Sequence, residues 1–253
     1  MMVVCMQKRF DYLNVLGDKL KGYRTGKIDP VTRISWDLIY KVILEKAFNV
    51  SIKGHKILDV GCGVGGYSIA LAKKKRECYG VDPLLAISLA KAHKMAKEEK
   101  AKIFLCRAVG EFLPYNSQTF DVVLCLSTLQ HVGNQEKTLH EIRRVLQNNG
   151  KLLVSIPTTR NIHTFFREVV PKHFTAGFNI TTVRKLLTRE GFQISEVKGS
   201  GFFPPSLNKV LQLFHVIFGE KITKKVIETL DRIADKWLSS AGNLIILSSK
   251  LSP

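Results

Sequence analysis

The run Ile57-Leu58-Asp59-Val60-Gly61-Cys62-Gly63-Val64-Gly65-Gly66 decides how the chain is read. It begins as a short apolar strand, passes through a glycine turn and opens an amphipathic stretch that reads as a helix. Glycines at 61, 63 and 66 permit a tight turn and close approach of backbone to a ligand at a helix N-terminus. By itself such a glycine pattern suits several nucleoside ligands.

Two aspartates frame the turn. Asp59 ends the first strand two residues before Gly61. A carboxylate there repels a diphosphate and suits a ligand carrying an ammonium and a sulfonium, a description that fits S-adenosylmethionine. Asp82 falls 21 residues after Gly61, at the end of the next strand, where it can accept hydrogen bonds from both ribose hydroxyls. Both S-adenosylmethionine and NAD present that ribose, so Asp82 supports an adenosine nucleoside without naming one.

Outward from the turn, short apolar runs alternate with amphipathic stretches, as a parallel sheet with crossover helices requires. Seven strands are expected at 56–60, 77–81, 101–106, 120–126, 151–156, 192–198 and 243–249, with helices at 66–74, 84–98, 135–147 and 182–190. Asn134 is a natural N-cap for the third of these helices, and Asn149-Gly150 supplies a left-handed stop before the fifth strand. The expected fold class is α/β, a Rossmann-like doubly wound sheet.

The chain divides into an N-terminal helical segment at 1–50, the core at 51–198, a helical cap at 199–242 and the last strand at 243–253, together one domain. After the break at Asp29-Pro30, Ile34, Leu38, Ile39, Val42 and Ile43 recur at helical spacing. The cap reads as two amphipathic helices. Leu207, Val210, Leu211, Phe214, Ile217 and Phe218 share one side of the first, and Ile222, Val226, Leu230, Ile233 and Trp237 one side of the second. Packing onto the core is the default expectation for them, and a lid over an apolar substrate or a membrane-surface contact is the sharper one.

Lys and Arg total 39 against 21 acidic residues, a formal charge of +18. That excess attracts phosphates, whether of RNA or of an anionic membrane surface, though lysines such as Lys91, Lys94 and Lys97 also read as a solvated helix face. Neither an RNP motif nor a basic-aromatic patch marks an RNA-binding module. The five cysteines (Cys5, Cys62, Cys78, Cys106, Cys125) are scattered and form no C-x-x-C pair, which favours neither disulfides nor zinc and fits a reducing cytoplasm. No stretch reaches the length of a membrane-spanning helix, and no secretory signal is read.

Five segments in order make the resemblance specific: ILDVGCGVGGYSIALA (57–72), GVDP (80–83), EFLPYNSQTFDVVLC (111–125), STLQHV (127–132) and EIRRVLQNNGKLLVSIP (141–157). They resemble the cofactor core of class I S-adenosylmethionine-dependent methyltransferases of the type 11 group, which includes the ubiquinone and menaquinone biosynthesis enzymes. A weaker likeness continues through HFT (173–175) and LLTREGF (186–192). The resemblance implies a seven-stranded sheet with the last strand antiparallel. It also implies that Gly61 and Gly63 approach the methionine moiety, that Asp82 holds the ribose and that Pro83 lies near the adenine.

The chain departs from the group where Val109 replaces the acidic residue that often binds the adenine amino group. Backbone around Val109 and Gly110 is expected to serve instead. Gln130-His131 stands where Glu-His is frequent, and the usual Pro-Gly before the fifth strand is missing.

Methyl transfer from a sulfonium has an activated leaving group, so the protein must chiefly position, desolvate and sometimes deprotonate the nucleophile. His131, past the fourth strand at the carboxyl edge of the sheet, is the candidate base or orienting group. The expected cofactor set is Asp59, Gly61, Cys62, Gly63, Asp82, Pro83, Val109, Gly110 and Ser127, with no metal. His163 and His173 in the segment after the fifth strand, and Tyr23 and Arg24 near the N-terminus, carry weaker signals. The acceptor is expected to be a small or lipid-like molecule. RNA is the alternative, and a non-catalytic S-adenosylmethionine- or NAD-binding protein is the third reading. The sequence leaves the oligomeric state open.

Overall fold

The computed structural model describes residues 30–52, 54–84, 88–158, 178–200, 205–236 and 241–251. Tyr23, Arg24, His163, His173 and Cys5 lie outside the described residues. The elements are α1 (Pro30–Val50), β1 (Lys56–Val60), α2 (Gly66–Ala72), β2 (Glu77–Val81), α3 (Ala90–Glu98), β3 (Ile103–Cys106), β4 (Phe120–Leu126), a 3₁₀ turn (Leu129–His131), α4 (Gln135–Val145), β5 (Leu146–Pro157), α5 (Ile180–Arg189), β6 (Phe192–Ser200), α6 (Pro205–Lys236) and β7 (Asn243–Lys250).

The seven strands form one sheet in the order β3-β2-β1-β4-β5-β7-β6. The pairings from β3 through to β5 are parallel, and β7 runs antiparallel to both of its neighbours. The expected Rossmann-like architecture and the antiparallel last strand are therefore what the chain adopts.

Side chains of the central strands alternate between two buried layers, because successive residues of a strand face opposite sides. Leu58, Val60, Val123, Cys125, Leu152, Val154 and Ile246 meet α4 and α5 through Leu139, Ile142, Val183 and Leu187. Ile57, Val122, Leu124, Leu153 and Ile245 meet α1 and α2 through Ile43, Ala47 and Leu71. A third cluster, Val31, Ile34, Leu211 and Ile227, joins α1 to α6.

Asn134 caps α4 as expected, its Oδ1 accepting the Lys137 amide at 2.9 Å, and Asn179 caps α5 in the same way through Thr182. Several boundaries differ from the sequence reading. Helix α4 ends at Val145 and β5 begins at once, so the left-handed Asn149 (φ 61°) lies inside the strand, in the irregularity where the β4–β5 register jumps between Phe120 and Val122. The third strand is confined to Ile103–Cys106, and the helix after β2 is described as α-helical only from Ala90.

The cap is two helical segments within α6, as expected, meeting at Gly219 (φ 73°, ψ 177°), but their expected inner faces are only partly buried. That break resets the helical phase. Leu211 and Ile227 are buried, whereas Val210, Ile217, Ile222 and Ile233 of the expected inner faces are exposed.

Phe120, fully buried, meets the rings of Tyr79 and Tyr115 edge-on at centroid distances of 5.3 and 4.9 Å. Phe120→Ala is expected to cost about 3–5 kcal/mol in denaturant-monitored unfolding with an unchanged m-value, because the site sits among strands that cannot collapse into the void.

Candidate functional site

The carboxyl ends of β1, β2, β3 and β4 converge where the strand order reverses between β1 and β4, the place where an open α/β sheet leaves a crevice. The glycine turn after β1 lines it. Gly61, Gly63 and Gly65 all have positive φ. At Gly61 the requirement is steric as well as conformational, since a Cβ there would stand 2.3 Å from Thr128 Oγ1. Thr128 itself spans the reversal point, its hydroxyl 3.0 Å from the carbonyl oxygens of both Val60 and Leu126.

The amides of the turn point inward. Gly61 and Cys62 donate to the Val81 carbonyl at 2.8 and 3.0 Å, Gly63 donates to Asp82 Oδ2 at 3.0 Å, and Gly65 donates to Cys62 at 2.9 Å. A diphosphate cradle needs such N–H groups free to face the ligand. Here four of them already have protein acceptors. The Cys62 side chain is buried against β2, where a Cβ on Gly80 would lie 2.8 Å from its Sγ. Cys62 thus sits in the turn with its side chain packed towards β2.

Asp59 and Asp82 are both buried. Asp59 Oδ2 accepts the Ser68 hydroxyl from α2 at 2.8 Å. Burial, with a smaller push from Asp82, raises its carboxyl to about 7, against the opposing pull of the Ser68 hydrogen bond. Asp82 accepts the Gly63 amide on one oxygen and the Leu84 amide, at 2.9 Å, on the other. Each oxygen keeps a further lone pair for a hydroxyl. Among the described residues no ion pair engages either aspartate.

Pro83 is exposed beside Asp82, and its carbonyl accepts from Arg107 Nε at 3.1 Å. Val109 is exposed in the loop after β3 and forms an isolated bridge with Phe112. Gly110 is buried, with Thr138 of α4 so close that a Cβ would lie 2.8 Å from its Cγ2. Packing on α4 thus gives that glycine a reason of its own.

This loop is fastened from behind. Glu111 Oε1 accepts the amides of Gly133 and Asn134 at 2.7 and 3.0 Å. Glu141 accepts the Leu113 amide at 2.9 Å, and Arg144, paired with Glu141, donates to the carbonyls of Leu113 and Tyr115.

After β4, Ser127 is exposed with φ 49°, a left-handed conformation uncommon for serine, and its amide is tied to Ser155 at 2.9 Å to the carbonyl and 3.0 Å to the hydroxyl. The 3₁₀ turn that follows is anchored by the fully buried Leu129. His131 stands at its end, exposed at the rim, and partial desolvation holds its imidazole below the ordinary value of 6.5. Gln130 Oε1, by contrast, is buried with no hydrogen-bond partner among the described residues.

The loops at this edge of the sheet carry Asp59, Gly61, Cys62, Gly63, Asp82, Pro83, Val109, Gly110, Ser127 and His131, the Cys62 side chain being packed towards β2. Thr128, Ser68, Glu111 and Glu141 were missed by sequence reasoning. All four lie inside the quoted motifs, but their partners are set by packing and strand order, which the motifs do not spell out.

Comparison with known proteins bears on what this crevice serves. Residues 58–154 match a methyltransferase domain family. An uncharacterized protein of Methanocaldococcus jannaschii is 32% identical over 202 residues, covering 77% of this chain and 78% of its own length. The chain belongs to the class I S-adenosylmethionine-dependent methyltransferases.

S-adenosylmethionine is accordingly its cofactor, and methyl transfer its chemistry. The ubiquinone biosynthesis O-methyltransferase of Coxiella burnetii is 32% identical over 123 residues, 48% of this chain, and the chain spans about half (51%) of that relative. Phosphoethanolamine N-methyltransferase 2 of Haemonchus contortus, solved in complex with S-adenosylmethionine, superposes with a TM-score of 0.58 at 19% identity over 84% of this chain and 52% of that one.

An unfolded Asp59 titrates near 3.8 and the folded one near 7. Between those values the folded chain keeps a proton that the unfolded chain has released, so this group lowers stability as pH rises through the window. Asp59→Asn is expected to raise the melting temperature of the ligand-free protein above pH 7, with the gain vanishing as pH falls towards 3.8. Differential scanning fluorimetry across that range checks it, and an equal gain at every pH contradicts the assignment. Gly61→Ala, forced against Thr128, is expected to weaken S-adenosylmethionine affinity at least about tenfold by calorimetry.

Proposed function

We propose that the chain transfers a methyl group from S-adenosylmethionine to an oxygen, nitrogen or carbon nucleophile of a small or lipophilic acceptor, at the carboxyl edge of the sheet beside His131. The observation that carries this reading is the pair of buried carboxylates at the glycine turn, with no cationic side chain paired to either among the described residues. Buried charges call for a counter-charge, and an ammonium and a sulfonium supply it where a diphosphate cannot.

In this reading Asp59, Gly61, Gly63, the Cys62 backbone and Ser127 border the methionyl end. Asp82 takes the ribose hydroxyls on lone pairs left by the Gly63 and Leu84 amides. Pro83, Val109 and Gly110 flank the adenine, and the exposed apolar Val109 offers it contact area in place of a carboxylate. When bound, the sulfonium supplies a methyl group already activated for in-line displacement.

The chain's own task is then to hold the acceptor in line, exclude water and receive a proton where the nucleophile carries one. His131 suits the last role, because desolvation keeps its imidazole neutral and able to accept at neutral pH. The lipophilic character of the acceptor is supported by the name of the Coxiella relative, although this chain spans only half of that protein. It is supported too by the apolar cap, which leaves the sheet after Ser200 and returns at Asn243, at the same edge as the turn.

Calorimetry is expected to show binding of S-adenosylmethionine and S-adenosylhomocysteine and none of NAD. NAD uptake with the sulfonium left free would remove the reading. Asp82→Ala is expected to weaken cofactor binding by at least about tenfold, since two buried hydrogen bonds to the ribose disappear. With labelled methyl donor, the label is expected in the lipid-soluble fraction of a cell extract. Label in small RNA instead would reassign the acceptor to the class that the +18 charge also suits. His131→Ala is expected to lower turnover about 10²–10⁴-fold on a proton-bearing acceptor while cofactor affinity stays constant, and unchanged turnover would remove His131 from the chemistry.

A further inference from the structure

Large exposed apolar side chains concentrate on α6. In its first half Val210, Leu213, Val216 and Ile217 are 59%, 62%, 80% and 62% exposed. At 100° per residue Val210, Leu213 and Ile217 form a single stripe, with Val216 at its border. Leu211, about 100° around the helix from Val210, is buried against Val31 and Ile34 of α1. The apolar stripe is therefore the outer face of a helix that is already packed.

Beyond the break at Gly219 the outer face changes character. Ile227 and Thr223 are buried, and Asp231 and Asp235 bond to the end of β6, at Ser200 Oγ (2.7 Å) and the Gly199 amide (3.2 Å). The side turned away from these contacts carries Lys221, Lys225, Arg232 and Lys236, all exposed and aligned by helical spacing. Two of the four acidic residues in this half thus face the sheet and leave a cationic stripe outside.

We infer that the outer face of α6 docks on an anionic membrane surface, with the Val210–Ile217 stripe seated among the acyl chains and the Lys221–Lys236 stripe on the headgroups. An apolar outer stripe followed along the same element by a cationic outer stripe is a pattern suited to a bilayer interface. Among the described residues no helix is long and apolar enough to cross a membrane. Charge decides between occupants. A second copy of this chain would bring a further +18 and a matching lysine stripe against the first, whereas anionic lipid complements both. RNA would complement the lysines but leave the apolar stripe in water. The inference does not depend on the acceptor.

The test is sedimentation of the full chain with vesicles of phosphatidylcholine alone and of phosphatidylcholine with phosphatidylglycerol. The chain is expected to pellet with the second and not the first, less so as salt rises. Leu213→Glu/Ile217→Glu and, separately, Lys221→Glu/Lys225→Glu are expected to lower the vesicle affinity by at least about tenfold, with melting temperature and S-adenosylmethionine affinity unchanged. Four outcomes overturn the inference. They are no binding to the anionic vesicles, equal binding to both kinds, a drop in oligomeric mass in Leu213→Glu/Ile217→Glu, and retention of an RNA homopolymer without vesicle binding. Should the apolar variant lose thermal stability, the salt titration of the unmodified chain and the lysine variant decide alone. Calorimetry with the methyl donor on the same samples separates failure of docking from failure of the methyltransferase reading.

Discussion

The crevice is organised around two carboxylates kept out of water with no cation beside them. Asp59 is 2% exposed and Asp82 7%. Asp59 is held by one hydroxyl and Asp82 by two amides, which orient the groups without neutralising them. Burying a charge without a partner costs stability, and a fold tolerates that only where something else is gained. The rise of Asp59 to about 7 expresses the cost. A ligand with positive charge at one end and a ribose at the other converts the cost into affinity, and the inward-turned amides of the glycine loop leave little to attract a diphosphate.

Holding those groups in place falls to contacts that never face the ligand. Thr128 bridges β1 and β4 across the reversal point and fills the space that the missing Gly61 side chain leaves open. Glu111 fastens the loop after β3 to the N-terminus of α4, and the Glu141–Arg144 pair fastens it to the middle and end of the same helix. Helix α4 in turn is locked by Leu139, Ile142 and Val145, all fully buried. The loop after β3 is therefore tied to a helix that is itself part of the core. That suits a site in which positioning rather than acid–base power supplies most of the catalysis.

Much of this was legible in the sequence, for physical reasons that also explain the rest. Strands buried on both faces are apolar throughout, so β1, β4 and β7 are plain to read, and the turn at Gly61 is confined to residues that tolerate positive φ. The α4–β5 boundary was misread because Asn149-Gly150 looks like a helix stop. Its left-handed residue instead serves an irregularity within the strand. The motif places Cys62 in the turn, but the direction its side chain takes is set by packing against Gly80, a contact across the sheet that no local pattern encodes. Thr128 was missed for the same reason, since both its carbonyl partners are fixed by strand order.

The cap shows where periodicity misleads. Read as two helices with apolar inner faces, 205–236 looks like ordinary packing, but before Gly219 the apolar arc is wider than the contact with α1 covers, and the remainder faces water. Contacts with α1 satisfy one face through Leu211. The two large clusters that stabilise the sheet take nothing from α6, so folding of the core provides no reason for Leu213, Val216 or Ile217 to be apolar. Exposed apolar area of this kind carries a solubility cost with no folding return, which directs attention to a partner outside the chain. Because α6 is spliced into the sheet through β6 and β7 at the edge that holds the glycine turn, whatever covers that face is tethered to the carboxyl edge of the sheet.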